Sequence, residues 1–408
     1  MTGGVVPIEQ PPSRWIMNSA APAIGLYLTL RLLSLEVMYV LASHAYARSP
    51  GKEVYPDGTI GNQWRSFTSF MDALLSWDAR WYLKITEQGL GGPIGAVDAD
   101  GVPYAFRLMF FPLYPMLARP LADLPFVDPV AACLTVSFVA AVAAAWGLYA
   151  IGRQVHSHRA GIMLAAVWAL APAAMTQNGA FTESLFTALA AWTLYALLRE
   201  NWLAAGLLAG LSGLSRPTAA ALIGTVGLAA LIAAARRRDG WRPYAAMLLA
   251  PSGLLAYLAF AAHRLGGVDE YFTIHNNTFG AWWDYGESTW KTVTDIMIGV
   301  DDDHAGKPIR ILSVLILAGF VVLLALLVRR APWPLTVFAA ATLVLAAGSH
   351  AHISMMGRHL LPAFPVLLIP AIALARARNR DLILLLGPMA LSSGWYAGWL
   401  PFISGQAI

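Results

Sequence analysis

Charge is scarce in this chain. Asp, Glu, Lys and Arg together make up 12% of its 408 residues, where a soluble domain carries about 25%. So few charges exclude a water-soluble globule of this size. The 58% share of hydrophobic residues and the mean hydropathy of +0.59 place the chain among polytopic membrane proteins. Cysteine is scarcer still: Cys133 stands alone in an apolar run, which excludes a disulfide framework and a thiolate metal site. No HExxH or comparable zinc spacing occurs, so no metal site is expected. Repeats and low-complexity linkers are lacking too, which predicts one domain over residues 1–408. The formal net charge of +4 arises largely from arginine clusters beside apolar segments, a pattern that reports topology and not a nucleic-acid partner.

What is present is apolar length. A helix needs about 20 mostly apolar residues to cross a bilayer. Such segments lie near 17–42, 129–151, 160–176, 182–198, 202–215, 217–235, 243–263, 310–328, 333–348, 360–375 and 381–399. They predict an all-α bundle of about eleven transmembrane helices. Pro172, Pro217, Pro243, Pro332, Pro334 and Pro362 stand at or near span ends, where the missing N–H stops a helix. The first segment, from Trp15, carries Arg31 and Glu36 and reads as a retained span rather than a cleaved leader.

Arginine placement gives the orientation. Arg14, Arg153 with Arg159, Arg199, Arg236 to Arg238, Arg329 with Arg330, and Arg376 with Arg378 and Arg380 mark alternate loops, which the positive-inside rule makes cytoplasmic. The alternation requires that the stretch from Ala105, broken by Pro112, Pro115 and Pro120, re-enters or inserts only in part. The outer side then receives the loops 45–104 and 264–309, the QNGAFTES turn, the LSRPT break and the segment SHAHISMMGRH. These hold most of the residues able to do chemistry, so the working face is predicted to lie outside.

Residues 76–85 read SWDARWYLKI. At about 100° per residue, Trp81, Tyr82 and Ile85 share a face with Asp78, while Arg80, Lys84 and Glu87 lie opposite. An ordinary loop aspartate caps a helix or reaches water. On the apolar face of an interface-lying helix it needs a cation or donor to compensate it, conditions that suit a general base. Trp77, Trp81 and Tyr82 would support it. Glu183 opens an apolar span; it either complements the helix dipole or faces a cavity at the mouth of the bundle. Arg216 interrupts a long apolar stretch against the orientation rule, which points to an anion, with phosphate the natural match for a guanidinium. The plainer reading is a salt bridge to Glu183 or Asp78. Arg358 is a second phosphate candidate, in the loop that also holds His350, His352 and His359. Trp282, Trp283 and Tyr285 form either an interfacial belt or a sugar platform. No cofactor is expected; the run Asp301 to Asp303 leaves a divalent cation open against a solvated acidic turn.

Taken in order, Trp77-Asp78-x-x-Trp81-Tyr82-Leu83-x-Ile85, Phe110-Phe111-Pro112-Leu113-Tyr114-Pro115, Thr182-Glu183-Ser184-Leu185-Phe186, Ser215-Arg216 and Gly357-Arg358 resemble the PIG-V family, the GPI mannosyltransferase 2 type, in its bacterial form. Thr86, Leu90 and His359 depart from the usual Ala, aromatic and Tyr. The resemblance implies a GT-C glycosyltransferase in a bacterial plasma membrane. It would move mannose, with inversion, from polyprenyl-phosphate-mannose to a lipid-linked or glycolipid acceptor on the outer face. Asp78 matches the family's catalytic acid, and a deep arginine would hold the donor phosphate. The rival reading is a transporter or flippase of a lipid-linked sugar, favoured by Arg31, Glu36 and the broken spans.

Overall fold

The structure is a computed structural model that describes residues 13–48, 70–171, 173–300, 307–350 and 353–404. Pro172, His352, the run Asp301 to Asp303 and residues 49–69 lie outside the described residues. In chain order the helices are α1 (Ser13–Arg48), α2 (Phe70–Leu74), α3 (Asp78–Gln88), α4 (Leu113–Ala122), α5 (Pro129–Val155), α6 (His158–Ala169), α7 (Glu183–Leu198), α8 (Trp202–Gly213) and α9 (Ala220–Ala235). They continue with α10 (Arg242–Leu265), α11 (Val268–Phe279), α12 (Glu287–Ile298), α13 (Lys307–Leu327), α14 (Trp333–Ala347), α15 (Met356–Leu360), α16 (Leu368–Leu374) and α17 (Asn379–Trp399). Among the described residues β structure is limited to one two-stranded sheet and an isolated bridge between Val97 and Pro103. Strand β1 (Trp282–Trp283) pairs antiparallel with β2 (Ser349–His350), joining the 264–309 loop to the segment before α15.

Each predicted span contains a helix, but their lengths differ. Among the described residues five helices are long and apolar enough to cross a membrane alone, and a sixth span arises if the pair Ile353–Leu360 and Phe364–Leu374, bent by 72°, is counted as one. Helices α7, α8 and α14 are shorter apolar helices. The stretch after Ala105 forms a 3-10 turn (Tyr104–Met109) and the ten-residue α4. Neither is long enough to cross.

Local chemistry sets several helix starts. Asp128 accepts a hydrogen bond from the Ala131 amide (2.7 Å) with Pro129 in the first turn of α5, and Ser157 accepts from Ala160 (3.2 Å) at the start of α6. Packing between the helices rests on small residues, as expected where lipid removes the hydrophobic contrast. Gly206, Gly210 and Gly213 of α8 lie against the backbone of α10. A Cβ on Gly253 would sit 2.0 Å from the Gly210 carbonyl oxygen. At one end of the bundle Arg153 bonds Ser19 (2.6 Å), and Arg159 bonds the Ala377 carbonyl (2.9 Å) and Asn379 (3.0 Å). Arg153 and Arg159 flank the turn between α5 and α6, at the other end of α6 from the turn that leads to Glu183.

Because Gly253 and Gly210 meet backbone to backbone, Gly253→Val is expected to lower the thermal midpoint of the detergent-solubilised protein by several degrees, a cost of about 1–3 kcal/mol or more. Gly227→Val in α9, where nothing lies within 4 Å, is the control and is expected to leave the midpoint within a degree or two of wild type. Equal effects in the two variants would contradict the close contact.

Candidate active site

Four charged side chains meet where four helices break. Asp78 is the first residue of α3, Glu183 the first of α7, Arg216 precedes the 3-10 turn Pro217–Ala219, and Arg358 lies in α15, on the short arm of the bent pair. Arg358 donates from Nε to Glu183 Oε1 and from Nη2 to Asp78 Oδ2. Arg216 Nη1 lies 2.5 Å from the same Glu183 oxygen, a charge contact without the alignment of a hydrogen bond. The result is a chain of alternating sign, Asp78–Arg358–Glu183–Arg216, with formal charges that cancel. Its members differ in access: the Glu183 side chain is fully buried, Arg358 6% exposed, Arg216 14% and Asp78 31%. Glu183 Oε2 is buried and has no hydrogen-bond partner among the described residues. The Arg358 guanidinium also rests 5.1 Å from the centre of the Phe181 ring, a cation–π contact.

Packing holds each member in place. The Ala180 amide donates to the Leu74 carbonyl (3.0 Å), which ties the turn before Glu183 to the segment before Asp78. Gly179 is required there, because a Cβ would lie 2.7 Å from Leu74 O. Arg31 is the brace behind this turn. It is buried in α1 and donates to Asn178 Oδ1 (2.8 Å from Nε) and the Ala169 carbonyl (3.1 Å). Tyr27 adds a bond to Gln177 (3.1 Å), and Ser184 donates to the Gln177 carbonyl (3.1 Å). Glu36 faces outward from the same helix.

Asp78 shares the α3 face that buries Tyr82 and Ile85, as the 100° spacing predicts. The helix, however, begins at Asp78. Trp77 lies outside it with φ +52°, a backbone region that side chains disfavour and that is found where surrounding structure imposes it. Trp81 stacks on Phe110 (5.5 Å) and Tyr82 meets Phe110 edge-on (5.4 Å), so the Phe-Phe-Pro motif packs directly on the Trp-Asp helix. Tyr257 donates to the carbonyls of Leu108 (3.0 Å) and Phe110 (2.7 Å), and the Leu113 amide donates to Leu214 O (2.9 Å) beside Arg216. Burial, followed by the charge of Asp78, pushes the Tyr82 hydroxyl above its ordinary value, so it stays protonated at neutral pH.

The opposite face of α3 is fastened too. Lys84 contacts Asp98 (2.5 Å) and Asp100 (2.6 Å), and buried Arg107 contacts Asp98 (3.1 Å) and Gln88 (2.5 Å). Burial pushes the Asp98 carboxyl up, but hydrogen bonds from Lys84, Arg107 and the amides of Val102 and Asp100 hold it well below the usual carboxylate range. The sequence reading missed this network and the Arg31 brace. An arginine set among Phe106, Leu108 and Met109 was the signal available for the first.

His350 falls elsewhere. His350 in β2 stacks on Trp282 (4.0 Å between ring centres, 10° between planes) and lies 3.4 Å from Asp284, which also accepts from the Gly286 and Ser288 amides at the start of α12. His359 is half-buried beside Arg358 in α15. Among the described residues no group of three or more His, Cys, Asp or Glu is placed to hold a metal ion.

Fold and site thus define a polytopic helical membrane protein with an acid–arginine centre at its helix breaks. Residues 112–264 match the model of the dolichyl-phosphate-mannose-protein mannosyltransferase family. The matched stretch is less than half of the chain; it includes Glu183 and Arg216 but neither Asp78 nor Arg358. It supports a mannosyltransferase family of the GT-C type and does not single out PIG-V. No curated protein matches the chain.

Glu183→Gln strips both arginines of a buried counter-charge, and a loss of about 3–5 kcal/mol is expected in the stability of the purified protein. Denaturant titration that finds less than about 1 kcal/mol would contradict the ion chain. Asp98 gives a pH signature. Its folded-state value is depressed, so its contribution is fully present above the unfolded value of 3.8 and is lost as pH falls below it. The stability gap between wild type and Asp98→Asn should therefore stay constant from pH 8 to about 5 and narrow below about 4.

Proposed function

We propose that this protein is an inverting mannosyltransferase that moves mannose from polyprenyl-phosphate-mannose to a lipid-linked or glycolipid acceptor. The PIG-V type in its bacterial form, and so a bacterial plasma membrane, is favoured by the motif set, and a site facing outward by the arginine placement. The observation that carries the reading is the ion chain itself. It joins a partly exposed carboxylate to two guanidiniums at breaks of an apolar bundle. A lipid-linked donor keeps its sugar phosphate at the membrane surface, where it needs a base for the acceptor hydroxyl and cations for the leaving phosphate.

In this reading Asp78, the open end of the chain, takes the proton of the acceptor hydroxyl. Arg216 and Arg358 stabilise the charge that grows on the phosphate, in a setting where few other dipoles compete. Glu183 positions both arginines. Trp77, Trp81 and Tyr82 hold the helix that presents Asp78, and orientation of the acceptor against that fixed carboxylate supplies much of the rate. His359, beside Arg358, and the more distant His350 are assigned to the walls toward the acceptor, a supporting role also expected of His352 from the sequence. The family match supports the polyprenyl-phosphate-mannose donor class; the acceptor is the finer part of the proposal.

The test is transfer of radiolabelled mannose from polyprenyl-phosphate-mannose to membrane lipid by the purified protein. Wild type should give a labelled lipid, and Asp78→Asn should lose transfer by about 10²–10⁴-fold. Arg216→Ala should raise the donor KM, and a normal donor KM in that variant would place the phosphate elsewhere. Full turnover by Asp78→Asn would remove Asp78 as the base, and no product from wild type with intact donor would remove the reaction class.

A further inference from the structure

One feature of the ion chain is more specific than a base beside two cations. Arg358 is bonded to Asp78 and Glu183 at once, so the guanidinium proposed to meet the phosphate is already held by the proposed base. The two carboxylates and two guanidiniums of the chain sum to zero charge. The surroundings are apolar: Phe181 lies against Arg358, and Tyr82 is neutral. Within this ion chain, as described, an added anion meets no uncompensated positive charge. Glu183 is fully buried between its two arginines, whereas Asp78 sits at the exposed end on a single one. Of the two acids, Asp78 is the one that can give up its share of Arg358.

We propose that Arg358 is shared in turn by Asp78 and the donor phosphate, so that protonation of Asp78 and departure of the phosphate are coupled through one guanidinium. This rests on the mannosyltransferase reading. In the transfer step the acceptor oxygen bonds to the anomeric carbon as the bond from that carbon to the phosphate oxygen breaks, and its electron pair stays on the phosphate. The hydroxyl proton passes to a carboxylate oxygen of Asp78. A phosphodiester with one negative charge becomes a phosphomonoester with two, while Asp78 goes from one negative charge to none. The total charge in the site is unchanged, and Arg358 passes from the carboxylate that has lost its charge to the phosphate that has gained one. Glu183 stays ionised throughout as the anchor of both arginines. A base that stood apart from the phosphate site would lack this exchange.

The consequence runs against the usual expectation for a base variant. Asp78→Asn resembles the protonated form of Asp78, so it should bind the product, polyprenyl phosphate, more tightly than wild type although it transfers no sugar. Like charges a few ångströms apart in a partly shielded site correspond to a gain on the order of tenfold or more. The measurement is the Kd for polyprenyl phosphate at pH 8 in nanodiscs, for wild type, Asp78→Asn and Asp78→Glu, with the intact mannosyl donor as a second ligand. The expected result is tighter product binding in Asp78→Asn, a smaller gain for the singly charged donor, and wild-type affinity in Asp78→Glu, which keeps the charge. A misfolded variant cannot bind more tightly than wild type, so a gain is not an artefact of damage. Unchanged or weaker product binding in a folded Asp78→Asn would overturn the sharing of Arg358 while leaving the transferase reading intact. Failure of wild type to bind either ligand would overturn both.

Discussion

A carboxylate with no solvent access must have its charge met by the protein, and at Glu183 two guanidiniums meet it. This constraint reaches far into the fold. Glu183 can be approached by Arg358 and Arg216 only if the segments carrying them stop being regular helices at the same depth as the start of α7. Helix α8 ends at Gly213 and Pro217 opens a 3-10 turn directly after Arg216, while the bend around Pro362 leaves Arg358 on the short helix α15. Backbone freed by such breaks is costly in lipid unless protein covers it. Here it is covered: the Leu113 amide takes the Leu214 carbonyl, and α15 is largely buried.

The same logic accounts for the charge inside α1. An intramembrane arginine is a functional suspect by default, and Arg31 was the best argument for a transporter. Its donors are spent on Asn178 and the Ala169 carbonyl, which are parts of the turn that delivers Glu183. Arg31 thus acts as a structural member of the site one layer behind it. The four charged groups of the ion chain cluster at helix ends and breaks.

Much of this could be read from the residues because charge is rare. Against an apolar background Asp78, Glu183, Arg216 and Arg358 stand out one by one, and proline marks the breaks that hold them. Which cation meets which anion could not be read. Glu183 and Arg358 are 175 positions apart, Asp78 and Arg358 are 280 apart, and no local period reports a contact at that range. The plain alternative for Arg216, a salt bridge to Glu183, and its role in a site turn out to be compatible. The polar face of α3 misled in another way. Lys84 looks solvated on a helical wheel, yet it is held by Asp98 and Asp100 from the returning loop, because a wheel shows one helix and not what folds back on it. The eleven apolar segments all contain helices, but hydropathy does not distinguish a full span from the shorter α7, α8 or α14, which lean on neighbours through small residues.

Helix α3 is fastened on both faces, by Phe110 and Tyr114 on one side and by the Lys84–Asp98–Arg107 network on the other. Its N-terminus is therefore fixed relative to α7, and Asp78 cannot travel far from Arg358 without moving several packed aromatic rings. A fixed carboxylate is selective about where a hydroxyl must arrive and indifferent to what carries it. In the proposed reading the carrier is sorted by neighbouring surfaces such as the exposed Trp282, Trp283 and Tyr285, where the sheet of β1 and β2 links the 264–309 loop to the segment leading to Arg358. An anionic donor is recognised by charge, which rare residues in an apolar sequence display. An acceptor is recognised by the shape of such loops, which composition and spacing do not encode. That difference explains why the residues point to an anion while the donor class comes from the family match and the acceptor stays a proposal.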